Sequence, residues 1–166
     1  MGLEFCRTAV DVYKKFSNGG ILWRVKSIRK GDDYKDILTI GRYYAEQGSN
    51  VYLTTPLHFK SEEYVKVFDE LKGTPYERKC PDLIINEIFF EYEGHKPHFR
   101  KRKVASMISH GAKQTNHIII KNTKGCTHRY IRRNVESRLR DKTFKLAIDE
   151  VLTYENGKVV KVYKKQ

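Results

Sequence analysis

The chain has 166 residues, 39% of them hydrophobic, which is enough for one good core, and we expect a single domain. No apolar run reaches the about 20 residues that span a bilayer, and three dispersed cysteines fit neither a zinc ribbon nor a disulfide framework, so we expect a cytoplasmic protein. Residues 1–95 carry 14 Lys/Arg and 15 Asp/Glu, whereas residues 96–166 carry 19 and 5; this concentration of positive charge favours a polyanionic partner, nucleic acid foremost, over a membrane.

Helical and strand periodicities alternate through the first part of the chain. Apolar residues recur at helical spacing from Phe5 to Phe16. Ser61, followed by two glutamates, begins another helix, and Gly73 ends it. The predicted elements are a helix over 4–16, a strand over 21–28, a helix over 33–48, a strand over 50–55 and a helix over 61–73.

The second part of the chain predicts two hairpins separated by basic helices. The first hairpin turns near Asn86, and the last turns at Asn156-Gly157, a pair suited to a type I′ turn. The predicted elements are strands over 83–85 and 88–93, a helix over 100–115, a strand over 116–121, a helix over 127–140 and a hairpin over 149–165. The fold class is therefore α+β, with a mixed or antiparallel central sheet of about 5–6 strands, helices mainly on one side and a C-terminal β-hairpin.

Alternation along the strand over 88–93 sorts its side chains into two faces. Ile88, Phe90 and Tyr92 share the face that we expect to be buried. Phe89, Glu91 and Glu93 share the other, together with His95 if the strand continues. Carboxylates among so many cations are either salt-bridge partners or catalytic groups, and a half-exposed sheet would explain them equally well.

The next helix carries an apolar stripe with a polar border. Its buried side is predicted to consist of Val104, Met107, Ile108, Gly111 and Ala112. Lys103, His110 and Gln114 lie along one edge of that stripe, near the start of the strand that presents His117 and Lys121. These groups form either a polar pocket between helix and sheet or the ordinary caps of a helix end.

The helix over 127–140 has an apolar face and a cationic one. Ile131, Val135 and Leu139 are predicted to be buried, with arginines on the opposite face. Arginines in such a row suit bidentate phosphate contacts, although a solvated basic helix is the alternative. The predicted nucleic-acid-binding residues are Lys96, Arg100, Lys101, Arg102, Lys103, Arg129, Arg132, Arg133 and Arg140.

The order of four segments resembles the barnase–EndoU–colicin–RelE-like (BECR) nucleases, which include tRNA-cleaving toxin domains of contact-dependent inhibition systems and mobile elements. The segments are IGRYYAEQGSNVYLTT, PDLIINEIFFEYEG, GAKQTNHIIIK and the closing hairpin. The resemblance spans residues 37–163, after an N-terminal helix and strand in residues 1–36. Those toxins often carry an E-x-K triplet where this chain has Glu91-Tyr92-Glu93.

The same stretch is also similar to the PD-(D/E)XK nuclease motif. That resemblance implies Asp82 and Glu91 as ligands of Mg²⁺, with Glu93 in the place of the motif's lysine and able to serve as a third ligand. Under the BECR resemblance no metal is needed, and Mg²⁺ is the alternative cofactor only under this second one.

The first hypothesis is a metal-independent endoribonuclease acting on tRNA or other structured RNA. As a toxin, such an enzyme would have an acidic immunity protein as its partner. Glu91 or His95 would be the base and His117 or His110 the acid, with Gln114 orienting the substrate. The predicted catalytic residues are Glu91, Glu93, His95, His110, Gln114 and His117. The alternatives are a Mg²⁺-dependent DNA endonuclease and a non-catalytic nucleic-acid-binding accessory protein of a mobile element.

Overall fold

A computed structural model describes residues 8–94, 100–122 and 126–166. They belong to two compact units, Met1–Ile88 and Phe89–Gln166, each treated below by itself. The described residues form four α-helices and eight strands, which confirms the α+β class. Eight strands exceed the five or six predicted, and the single-domain organisation stays a prediction. No helix among the described residues is long and apolar enough to cross a membrane.

The first unit consists of strands β1 (Val10–Lys15), β2 (Ile21–Val25) and β3 (Asn50–Leu53), the short strand β4 (Leu83–Ile85), and helices α1 (Tyr34–Ala45) and α2 (Glu62–Phe68). The strands follow chain order, with β2 and β3 parallel and the two outer pairs antiparallel. Helix α1 packs closely on the sheet at Gly41, where an added Cβ would lie 2.9 Å from Leu53 Cδ2. A small residue at position 41 is therefore what allows this close approach.

The predicted N-terminal helix is wrong where the structure describes it, because Val10–Lys15 form β1. The segment Val10-Asp11-Val12 also alternates with a period of two, and β-branched valines favour a strand. Antiparallel pairing with β2 gives this segment backbone hydrogen bonds, and these favour the strand over the helix that the apolar spacing predicted. Phe5, on which the helical spacing also rested, lies outside the described residues.

The second unit consists of strands β5 (Ile88–Glu93), β6 (His117–Lys121), β7 (Glu150–Glu155) and β8 (Lys158–Lys164), and helices α3 (Val104–Gly111) and α4 (His128–Arg140). Strands β5, β6 and β7 are parallel neighbours, and β8 pairs antiparallel with β7. The C-terminal hairpin is confirmed, because Asn156 and Gly157 have φ values of 48° and 77°. The turn after β4 is confirmed in the same way by left-handed Asn86 and Glu87.

Both helices of the second unit cover one face of its sheet. Ile118 and Ile120 of β6 and Val151 of β7 share one buried cluster with residues of α3 and α4. The predicted stripe of α3 is confirmed, since all five residues are buried. We call this side of the sheet the helix face; the side chains that alternate with it, including His117, point to the opposite side.

Candidate functional site

The two predicted acid–base partners, Glu91 and His117, project from opposite faces of the sheet. Glu91 is in register with Ile118, and paired residues of parallel strands point the same way, so Glu91 lies on the helix face. His117 alternates with Ile118, and its ring lies 5.2 Å from that of Phe90 on the other side. The structure therefore does not bring Glu91 and His117 together in one pocket.

Glu93 lies on the helix face as well, in register with Ile120. Its Cγ is 3.3 Å from the place where a Cβ on Gly111 would stand, so Glu93 packs against α3. Gln114 is half-buried just beyond α3, and its backbone N–H donates to the carbonyl of Gly111 at 2.9 Å. His110 is exposed on the helix surface. Glu93 thus lies against the apolar stripe of α3 at Gly111, on the opposite side of the sheet from His117.

His117 takes part in a polar network at the amino ends of β6 and β7. Its Nδ1 is 3.4 Å from Oε2 of Glu150, whose Oε1 is 3.0 Å from Nζ of Lys161. The His117 imidazole and the Lys161 ammonium hold the pKa of Glu150 below its ordinary range, although burial acts in the opposite direction. The two carboxylate oxygens thus face an imidazole and an ammonium group, and this network is suited to holding the strand ends in place.

Replacing Glu150 with glutamine is expected to lower stability at pH 7 and to flatten the pH dependence of stability in acid. The depressed pKa means that the carboxylate stabilises the folded state above its unfolded value of about 4.3 and that this contribution disappears as the pH falls below it. Urea unfolding at pH 7 and pH 3 would measure it, with the exposed Glu87→Gln as a control. The prediction would be contradicted if the free energy of unfolding differed between wild type and Glu150→Gln by the same amount at both pH values.

A second histidine–glutamate pair lies at the carboxyl ends of the parallel strands. His128, the first residue of α4, places Nε2 at 3.3 Å from Oε1 of Glu155 and at 3.4 Å from Oγ1 of Thr153. Asn122, which follows β6, also donates its amide to Glu155 Oε1 and donates to the carbonyl of Cys126 at 3.0 Å. We call His128, Glu155, Thr153 and Asn122 the His128 cluster.

The His128 cluster lies on the helix face, the same face as Glu91 and Glu93. Glu93, Ile120 and Thr153 are in register across β5, β6 and β7, so their side chains point the same way. Glu155 comes two residues after Thr153 on β7, and Asn122 comes two residues after Ile120, just beyond the end of β6. In open sheets of parallel strands, ligands bind beyond the carboxyl ends. This end of the helix face is therefore the strongest candidate for a functional site in the second unit.

His128 has the orientation of a general base. A carboxylate can only accept a hydrogen bond, so in the neutral tautomer that donates to Glu155, Nε2 carries the proton and Nδ1 carries the lone pair. The side chain is 44% exposed, against 20% for His117, and can therefore meet a ligand from solvent. An imidazole oriented by a carboxylate on its other nitrogen is a common arrangement for proton transfer.

Lys101 lies beside the start of α4. Nζ of Lys101 lies 4.5 Å from the centroid of the Tyr130 ring, and the Tyr130 hydroxyl donates to the Lys101 carbonyl at 3.3 Å. Burial raises the pKa of the Cys126 thiol, while the charge of Lys101 lowers it and that of Glu155 raises it. The charges of Lys101 and Glu155 therefore both affect the Cys126 thiol. Because burial keeps this thiol protonated, it is not suited to be a nucleophile.

The cationic face of α4 is exposed as predicted, opposite the fully buried Ile131 and Val135. The exposed cations of the predicted set are Arg100, Lys101, Arg102, Arg129, Arg132, Arg133 and Arg140, while Lys103 is half-buried. Leu139, expected to be buried, is 39% exposed because it lies in the last turn of the helix. Arg132 donates Nε to the carbonyl of Val162 at 2.9 Å and, with Lys161 and Lys164, lines a groove of about 660 Å³.

Some predicted residues cannot be placed in this site. His95 and Lys96 lie outside the described residues. Asp82 belongs to the first unit, whereas Glu91 and Glu93 belong to the second. Among the residues that the structure describes, no group of three or more His, Cys, Asp or Glu side chains could hold a metal ion.

Comparison with known proteins finds no matching family model, no matching curated protein and no matching solved structure. The nuclease resemblance and the site residues that it implies therefore stay predictions.

The sequence-based reasoning missed all four residues of the His128 cluster, which are Asn122, His128, Thr153 and Glu155. Thr153 and Glu155 stand two residues apart on a strand, so one face of that strand carries two polar groups in succession. His128 directly follows a threonine that caps α4, with Oγ1 of Thr127 accepting from the N–H of Tyr130 at 3.1 Å. A histidine at a capped helix start and a polar strand end are the two signals that could have led to this cluster.

Proposed function

We propose that the second unit binds RNA around the start of α4 and cleaves it without a metal ion. The observation that carries the proposal is the exposed His128 imidazole, held by Glu155 beyond the carboxyl ends of three parallel strands, with the exposed Arg129 next to it in α4 and Lys101 against Tyr130. A proton acceptor beside cations is what cleavage by an RNA 2′-hydroxyl requires. The nuclease resemblance supports the same class of reaction.

In the proposed reaction, Nδ1 of His128 takes the proton of a 2′-hydroxyl while its oxygen forms a bond to the adjacent phosphorus. The bond from phosphorus to the 5′-oxygen breaks, and that oxygen takes a proton from a general acid, for which His110 stays the sequence-based candidate. The products are a 2′,3′-cyclic phosphate and a 5′-hydroxyl. Lys101 and Arg129 supply positive charge for the phosphate oxygens.

Glu155 is a positioning residue in this proposal. Its carboxylate keeps the proton on Nε2 of His128 and stabilises the imidazolium that forms during the reaction. Asn122 and Thr153 in turn fix the carboxylate and the imidazole, because Asn122 donates to Glu155 and Thr153 contacts Nε2. Predicted Glu91 and Glu93 share this face and stay candidates for contacts with substrate.

The purified protein should therefore cleave total tRNA in the presence of a chelator and leave duplex DNA intact. Gel analysis with and without Mg²⁺, followed by detection of cyclic phosphate ends, measures this outcome. Cleavage that needs Mg²⁺ would instead favour Asp82, Glu91 and Glu93 as ligands and would contradict the proposal. A salt-sensitive gel shift without cleavage would leave nucleic-acid binding as the function and remove the catalytic part of the proposal.

A further inference from the structure

An exposed phenylalanine in the first unit is surrounded by cationic and imidazole groups. Phe59, in the loop before α2, is 37% exposed. The His58 ring stacks on it at 5.0 Å between centroids, the Arg78 guanidinium lies 4.8 Å from the ring centroid, and Lys60 Nζ lies 5.7 Å from it. We call these four residues the Phe59 cluster. Its other three residues are also exposed, so the whole cluster faces solvent.

The cluster is fixed by the backbone on both sides. Leu57 donates its N–H to Sγ of Cys80 at 3.4 Å, and the Cys80 thiol is 3.4 Å from the Leu57 carbonyl oxygen, which ties the Phe59 loop to the segment that carries Arg78. Arg78 has a φ of 68°, in the left-handed region that favours glycine. Arg78 lies in a turn closed by the hydrogen bond from the Lys79 N–H to the Tyr76 carbonyl at 3.0 Å, and from this turn its guanidinium reaches the Phe59 ring.

An aromatic ring beside cations matches the chemistry of an unpaired nucleotide. A base can stack on the ring, and neighbouring cations can contact the phosphates on either side of that base. The first unit has nearly balanced charge, since residues 1–88 carry 14 Lys/Arg and 13 Asp/Glu. A general positive field therefore does not explain why three cationic or imidazole side chains meet at Phe59.

We propose that the Phe59 cluster binds an unpaired base of single-stranded nucleic acid. The inference rests on the proposed function only in that the chain binds nucleic acid, and it needs no cleavage. It adds a substrate class to that function, namely nucleic acid with unpaired nucleotides.

The test uses the full chain and a fluorescein-labelled 2′-O-methyl RNA of twelve nucleotides, which lacks the attacking hydroxyl. Anisotropy titrations compare this single strand with a blunt duplex of the same sequence. Phe59→Leu should weaken single-strand binding about tenfold and leave duplex binding unchanged, because leucine keeps apolar area but cannot stack with a base. Phe59→Trp should retain wild-type affinity, and Val65→Ala, at a 44% exposed valine of α2, serves as the matched apolar control.

Arg78→Gly separates binding from folding. Glycine accepts a φ of 68° without strain, so the Tm should stay the same or rise, while single-strand affinity falls by about as much as in Phe59→Leu. Wild-type affinity of Phe59→Leu for the single strand would overturn the cluster proposal and leave the proposed function standing. Absence of any nucleic-acid binding by the wild type would overturn both. Binding of an acidic peptide that is sensitive to Phe59→Leu, without such sensitivity for RNA, would assign the cluster to a protein ligand and overturn the proposal.

Discussion

Replacing His128 with alanine is expected to reduce the rate of RNA cleavage at least about 100-fold, because general acid–base catalysis contributes about 10²- to 10⁴-fold. The side chain is 44% exposed and belongs to no buried cluster, so the variant should fold. Cleavage rates under single-turnover conditions in chelator, with circular dichroism as a check on folding, would measure the effect. The pH–rate profile should also lose the limb that reports deprotonation of the base.

His117→Ala is the informative comparison, since both histidines contact a glutamate at a similar distance, 3.4 Å for His117 and 3.3 Å for His128. The original sequence-based hypothesis assigns catalysis to His117, and the structural proposal assigns it to His128. A loss of activity in His117→Ala with full activity in His128→Ala would reverse the proposal. Glu155→Gln should give a smaller loss than His128→Ala, because it removes a positioning group and keeps the imidazole.

The second large effect is expected from Arg129→Gln combined with Arg133→Gln. Both arginines are exposed on the face of α4 opposite its buried residues, so the double variant should fold and lose about two phosphate contacts. The slope of log K against log salt for structured RNA should decrease in magnitude by about two. Binding isotherms at four salt concentrations would measure this slope.

The matched control removes the same charge from the first unit. Lys35 and Lys72 are exposed there, and Lys35→Gln with Lys72→Gln changes the net charge equally. If both double variants lower the slope by the same amount, the overall charge governs binding and α4 has no special role. If only the α4 variant lowers the slope, the surface that contacts phosphates lies on α4.

Local sequence signals predicted most elements of the fold. The Asn156-Gly157 turn, the Ser61 cap of α2 and the buried stripe of α3 each depend on residues close in sequence, and each was predicted correctly. The segment Val10–Lys15 was not, because its apolar residues fit both a helix and a strand. Pairing with β2 decided between them, and that pairing is a tertiary interaction.

The site was harder to predict than the fold. Alternation correctly separated Glu91 and Glu93 from Phe90 and Tyr92 within β5. It does not show which residues of the neighbouring strand point to the same side of the sheet as Glu91. The register of Glu91 with Ile118 settles that question and separates Glu91 from His117. The contact between His128 and Glu155 joins residues 27 positions apart, so it depends on how α4 returns to the sheet.

Strand β7 begins and ends with a glutamate, and each contacts a histidine. Glu150 and Glu155 are five residues apart, an odd number, so the two glutamates point to opposite sides of the sheet and lie about 17 Å apart along the strand. One molecule thus contains two similar proton-binding pairs, one enclosed and one open to solvent. In a proton NMR spectrum, a change of temperature or buffer should shift the signals of both rings, whereas a ligand that occupies the open end should shift the signal of His128 and leave that of His117 in place.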